Sequence, residues 1–246
     1  MNLINLGLII FLISCAKMPS SFWNDSLSQD ELKLLEQRGK ENSTSILNID
    51  SPSQKNLLEM PSRTIKPNTA GIGLLVAELE KTVRKHGGMG IASVQIGVPV
   101  RIILILRAEE GGPKKFYPLL NPRIIHASAK QTASWEQCLS VSWGYRFTYR
   151  YAEVTVEFQT IEGKATEKTF QGEESVVLQQ EIDHLDGILL NTGQPKEYFI
   201  PNYEMNAFAR NIWHQCQSLN KHECDSLMEL RWQERGKALR RTPSNE

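Results

Sequence analysis

The sequence carries no net charge: 28 lysines and arginines stand against 28 aspartates and glutamates. No global field of either sign therefore exists to hold a nucleic-acid backbone or an acidic surface. Cysteine is scarce, at 4 in 246 residues, which excludes a miniprotein built on disulfides. No apolar run reaches the ~20 residues that a membrane-spanning helix needs. No internal repeat is evident. What remains is ordinary globular composition, 40% hydrophobic and 23% charged, long enough for one large or two small domains with a core.

The two ends differ from the middle. Leu6 to Ile13 is apolar, too short to span a bilayer, and matches the h-region of a secretory signal, although no lysine or arginine precedes it. Leu12-Ile13-Ser14-Cys15 resembles a bacterial lipobox, with Cys15 as the lipid acceptor after cleavage. A buried strand or helix start is the other reading of this run. The export reading predicts a signal over residues 1–14, a membrane-anchored lipoprotein and a tether over 15–45; the alternative location is cytoplasmic. Within the tether, Ser28-x-x-Glu31 is a capping box ahead of Leu32, Leu34 and Leu35, and Gly39 is expected to close a short helix. Residues 40–56, rich in Ser, Asn, Gln and Lys, read as a linker.

Residues 196–246 read as a helical extension. Ala207, Ile212 and Trp213 fit one helix, and Leu227, Leu230 and Trp232 another. Arg231, Arg235, Lys237, Arg240 and Arg241 read as a solvated face rather than a nucleic-acid contact, since no aromatic stacking pattern accompanies them. His214-x-Cys216 and His222-x-Cys224 leave three readings open: a metal site, a Cys216–Cys224 disulfide in an exported protein, or unrelated surface residues.

The middle, 46–195, alternates elements in the manner of one α+β domain. Ile72, Val76, Leu79 and Val83 form a helical stripe that Gly87-Gly88 ends. Val100 to Leu106 is a β-branched run suited to a buried strand. Val154, Val156 and Phe158 alternate with polar residues, Glu162-Gly163 supplies a turn, and Ala165 to Phe170 is expected to return antiparallel. Glu173 and Glu174 suit a helix N-terminus. That helix carries Val177, Glu181 and His184 on one face and can end at Gly187.

Three separated motifs carry chemistry. In Gln180-Glu181-x-x-His184, positions 180 and 184 share a helix face. Two histidines at that spacing bind one metal with the intervening glutamate as base, but the first position here is glutamine. The segment Gly88-Met89-Gly90-Ile91-Ala92-Ser93-Val94-Gln95 is no dinucleotide fingerprint, because the third glycine is missing and no strand precedes it. Glu136-Gln137-Cys138-Leu139-Ser140 puts a cysteine in what reads as a loop.

In this order the three segments resemble the motifs of the peptide deformylase family: G-x-G-hydrophobic-A-A-x-Q, with Ser93 for the second alanine; E-G-C-hydrophobic-S, with Gln137 for the glycine; and Q-H-E-x-D-H, with Gln180 for the metal-binding histidine. The resemblance runs from about Ile46 to Leu190. It implies antiparallel β-sheets packed around a central motif helix, and a metal-dependent hydrolase that removes the formyl group from N-formyl-methionyl peptides. It implies one divalent ion, Fe(II) or Zn(II), between Cys138, His184 and Gln180, and Glu181 as the proton shuttle. The Gln95 amide and the Leu139 backbone N–H would stabilise the developing oxyanion, and Gly88, Met89 and Gly90 would lie along the peptide. A carboxamide oxygen is a weaker donor to Fe or Zn than an imidazole. Two readings therefore stand: a deformylase of reduced activity, or a non-catalytic lipoprotein of the same fold that binds peptides or another protein.

Overall fold

The computed structural model describes residues 26–108 and 112–192, and within the C-terminal segment residues 199, 212, 214–216, 218–219, 222–224, 226–227 and 230–231. The signal over 1–14, the lipid acceptor Cys15, and Ala207, Trp213, Trp232, Arg235, Lys237, Arg240 and Arg241 lie outside the described residues.

The apolar run at Ile102 explains the layering. It forms β2 (Ile102–Arg107), whose side chains alternate between two cores. Ile103 and Ile105 pack with Leu178, Ile182 and Leu185 of α4 (Gly172–Leu185). Ile102 and Leu104 pack with Leu75, Leu79 and Val83 of α3 (Ile72–His86). A strand covered on both faces has no use for polar alternation, which is why it reads as a continuous hydrophobic stretch.

Around β2 runs a five-stranded antiparallel sheet in the order β1 (Gly90–Ala92), β2, β3 (Lys115–Ala127), β6 (Glu153–Gln159), β7 (Ala165–Gln171). The expected hairpin is present: Val154 pairs with Phe170 and Gln159 with Ala165 across a turn where Gly163 has φ +85°. A second, two-stranded sheet joins β4 (Gln131–Cys138) to β5 (Val141–Tyr151). Cys138 is thus the last residue of a strand, paired with Val141 across a tight turn, and not a loop residue. Helix α4 lies against both sheets, and the architecture is the expected α+β one.

The short helix expected after Ser28 forms, with two changes from the expectation. Ser28 and Glu31 form a reciprocal capping box on α1 (Gln29–Lys40). Gly39 sits inside the last turn instead of ending it, and the Glu41 N–H reaches back to Gln37 and Gly39 carbonyls. This helix is packed, not free: Leu35 shares the α3 core, and buried Arg38 lies 3.9 Å from Glu78 of α3. Within the stretch read as a linker, α2 (Pro52–Leu58) forms with Pro at N1, a position that needs no N–H donor.

In the C-terminal segment Cys216 and Cys224 form a disulfide, with Cα atoms 5.1 Å apart. That removes both sulfurs as metal ligands, and among the described residues no group of three His, Cys, Asp or Glu side chains is arranged to hold a metal. The bridge is buried with Ile212 against Phe147 and Tyr149 of β5. Among the described residues no helix is long and apolar enough to cross a membrane.

Candidate active site

Three chain segments meet where α4 crosses the ends of β1 and β4. Helix α4 is docked by its own polar side chains. Gln179 donates to the Tyr151 carbonyl at 2.9 Å and accepts from the Tyr151 N–H at 3.0 Å, while Ser175 donates to the same carbonyl at 2.9 Å. This clamp fixes the rotation of the helix, so Glu181 and His184 point inward; both are at least 97% buried, at 3% and 1% exposure.

From β4, Cys138 brings its Sγ to 3.1 Å from His184 Nε2. From the short helical turn Ser93–Ile96, Gln95 accepts from the Ala92 N–H at 2.8 Å through Oε1. Its amide nitrogen is thereby aimed at the same place, donating to Ser140 Oγ at 3.1 Å and lying 4.0 Å from Cys138 Sγ. Gly90 completes the approach. A Cβ there would fall 2.6 Å from Glu181 Oε1 and 2.7 Å from Val177, so no larger residue fits without moving the glutamate. Gly88 is similarly confined, between Val83 and Leu139.

These groups open onto a cavity of about 280 Å³. Met89, Trp135, Leu139, Val176 and Val177 give it apolar walls, and Gln95, Gln180 and Glu181 give it polar ones. An apolar cleft with a few convergent polar groups is the common form of a small-ligand or peptide-end site.

Burial sets the charge states. It pushes the Glu181 carboxyl up to about 8, reinforced by the negative charge of Glu136 and opposed by Arg150. It pushes the Cys138 thiol up to about 12, with Glu181 adding to the effect. It lowers His184 to about 4, helped by Arg150. Without a cation the site therefore holds a neutral imidazole, a neutral thiol and a carboxyl poised to exchange a proton near neutral pH. Glu181 Oε2 is buried with no hydrogen-bond partner among the described residues.

Beneath lies a network that the sequence did not reveal. Glu136 accepts from Arg150 Nε at 2.7 Å, from Arg150 Nη2 at 2.9 Å, from the Thr148 hydroxyl and from Gln180 Nε2 at 2.8 Å. Arg150 also reaches Asp183 at 2.5 Å. Burial alone would lower the Arg150 pKa, but the two carboxylates outweigh it and raise it. Every residue expected at the site is accordingly found on or beside one cavity wall: Gly88, Met89, Gly90, Gln95, Leu139, Gln180 and Glu181 line it, and Cys138 and His184 meet behind it. The signal for Arg150 was absent, since its link to Glu136 depends on the β4–β5 register.

The donor chemistry fits a divalent cation. A sulfur and an imidazole nitrogen converge from distant elements, the imidazole is held neutral as ligation requires, and an unpartnered buried carboxyl oxygen lies on the adjacent helix turn.

A family profile described as polypeptide deformylase matches residues 44–196. A peptide deformylase of Chloroflexus aurantiacus is 35% identical over 156 residues, covering 58% of this chain and 83% of the relative. One of Brucella suis is 38% identical over 113 residues, covering 46% and 65%. Among solved structures, a probable peptide deformylase from Synechococcus phage S-SSM7 superposes with a TM-score of 0.56 at 28% identity, covering 64% of this chain and all of that one. The Met-Ala-Ser-bound class I type b peptide deformylase of Acinetobacter baumannii gives 0.54 at 25% identity, covering 60% and 95%.

Proposed function

The chain belongs to the polypeptide deformylase family, and we propose on that premise that its cavity takes the N-terminal end of a formylated peptide and hydrolyses the formyl amide. The observation that carries this reading is the convergence of Cys138, His184, Glu181 and Gln95 at one end of an apolar cleft.

Cys138 and His184 would hold a divalent cation, Fe(II) or Zn(II) in kind, which when bound would supply a water of lowered pKa at neutral pH. The chain's own residues do the rest. The apolar walls at Met89, Val176 and Val177 bury the methionyl side chain and exclude water. Glu181 Oε2, without a hydrogen-bond partner among the described residues, holds the proton taken from water and returns it to the leaving amine. The Gln95 amide, oriented by its bond from Ala92, and the Leu139 N–H at the strand end face the charge that develops on the formyl oxygen.

Gln180 favours a second reading, a peptide-binding module without turnover. Formate release from formyl-Met-Ala-Ser separates the two. The hydrolase reading expects slow release by the native chain, abolished by Glu181→Gln. Peptide binding with no formate at any metal load selects the module.

The location is a further part of the proposal: a lipoprotein anchored through Cys15. The Cys216–Cys224 bridge supports it, since such bonds persist mainly in oxidising compartments. Incorporation of labelled lipid by the native chain but not by Cys15→Ala is expected; equal labelling of both removes the anchor.

A further inference from the structure

Gln180 sits one helical turn before His184 on the same face of α4, and it lines the cavity. Its amide can present either nitrogen or oxygen, and the hydrogen-bond network decides which. Here the surroundings decide. Glu136 Oε2, 2.8 Å away, already accepts from Arg150 Nη2, and Glu136 Oε1 accepts from Arg150 Nε and the Thr148 hydroxyl, so both oxygens of this carboxyl are turned to donors. The atom facing it must be the Gln180 NH2. The carbonyl oxygen, about 120° away around the trigonal carbon, is turned from Glu136 and accepts no hydrogen bond from any described residue.

We propose that Gln180 Oε1 is the third protein donor to the cation, giving a mixed sulfur, nitrogen and oxygen set from Cys138, His184 and Gln180. Glu136 does for this amide what a carboxylate does behind a ligating imidazole: it fixes which atom points forward. Arg150 and Thr148 hold Glu136 in turn. The oxygen is a harder and weaker donor than nitrogen, so the site binds a divalent ion more loosely than a set with two imidazoles. The inference rests on the hydrolase reading only through the shared cation.

Anaerobic titration of the full chain with Co(II) is the test, because sulfur-to-cobalt charge-transfer absorption reports the bound thiolate without any turnover. One equivalent is expected to bind with that band. Gln180→Leu is expected to raise the dissociation constant about 10-fold or more, and Gln180→His to lower it. Unchanged affinity in Gln180→Leu overturns the inference. So does a native chain that takes up no Co(II) while Gln180→His takes up one equivalent, a comparison between two proteins that both keep a donor to Glu136. Cys138→Ser binding Co(II) as the native chain does would instead remove the site itself, and with it the hydrolase reading.

Discussion

A Cβ at position 90 would lie 2.6 Å from Glu181 Oε1, so the Glu181 side chain owes its position to the absence of a side chain at Gly90 of β1. Two motifs nearly a hundred residues apart are therefore one steric unit. Gly90→Ala must displace Glu181, Val177 or the strand. We expect a loss of stability of about 1–3 kcal/mol from overpacking, and a fall in formate release larger than the loss of fold explains. Thermal melts and single-turnover assays on the same preparation check this; a native rate would show that Glu181 has room the geometry denies it.

Burial of the two titrating groups sets opposite pH trends in the chelator-treated protein. Glu181 is raised from 4.5 to about 8, so the fold binds its proton more tightly than the unfolded chain, and its contribution to stability is lost as pH rises through that interval. His184 is lowered from 6.5 to about 4, so its contribution runs the other way, stability rising with pH up to 6.5. The two offset each other below 6.5. Above it Glu181 is the one of the two that still titrates, and the melting temperature should fall toward pH 8. Glu181→Gln should flatten that fall; an equal fall in the variant assigns it elsewhere.

Among the described residues Arg150 is the only cation bonded to Glu136, and it also bridges to Asp183. Arg150→Met leaves a buried carboxylate uncompensated and should cost about 3–5 kcal/mol. The double variant Glu136→Gln with Arg150→Met should lose less than the sum of the singles. Chemical denaturation of all four proteins closes the cycle, and strict additivity would mean that the pair does not interact.

The Cys216–Cys224 bridge closes a short loop against Phe147 and Tyr149. Its removal by Cys216→Ala with Cys224→Ala should cost about 2–3 kcal/mol at most. Denatured, unreduced protein should show Cys138 alkylated by iodoacetamide and neither Cys216 nor Cys224. Alkylation of all three would place the segment in its reduced form.

Much of the scaffold is legible locally. The Ser28/Glu31 box, the α3 stripe, the β6–β7 hairpin and the glycine after α4 each follow from spacing and turn chemistry. The β4–β5 hairpin is not, because its strands present mixed polar and aromatic residues to neighbours rather than a clean alternation. Glu136 and Arg150 find each other only through that pairing. The α2 helix hides behind a polar composition, although Pro52 after Ser51 marks its start. Cys138 and His184, 46 residues apart, meet only through the fold. Their partnership could be anticipated from the three motifs together and from neither segment alone. Gln179, a buried clamp, looks like one more polar helix residue until Tyr151 is placed beside it.

In the proposed reaction the cation at Cys138 and His184 and the carboxyl of Glu181 act together on a formyl amide. Formate released from formyl-Met-Ala-Ser, measured as Fe(II) or Zn(II) is titrated into chelator-treated protein, tests it most directly. Release that rises in proportion to occupancy and vanishes in Cys138→Ser and Glu181→Gln is the predicted result. Full occupancy of the Cys138–His184 site with no formate released would contradict it.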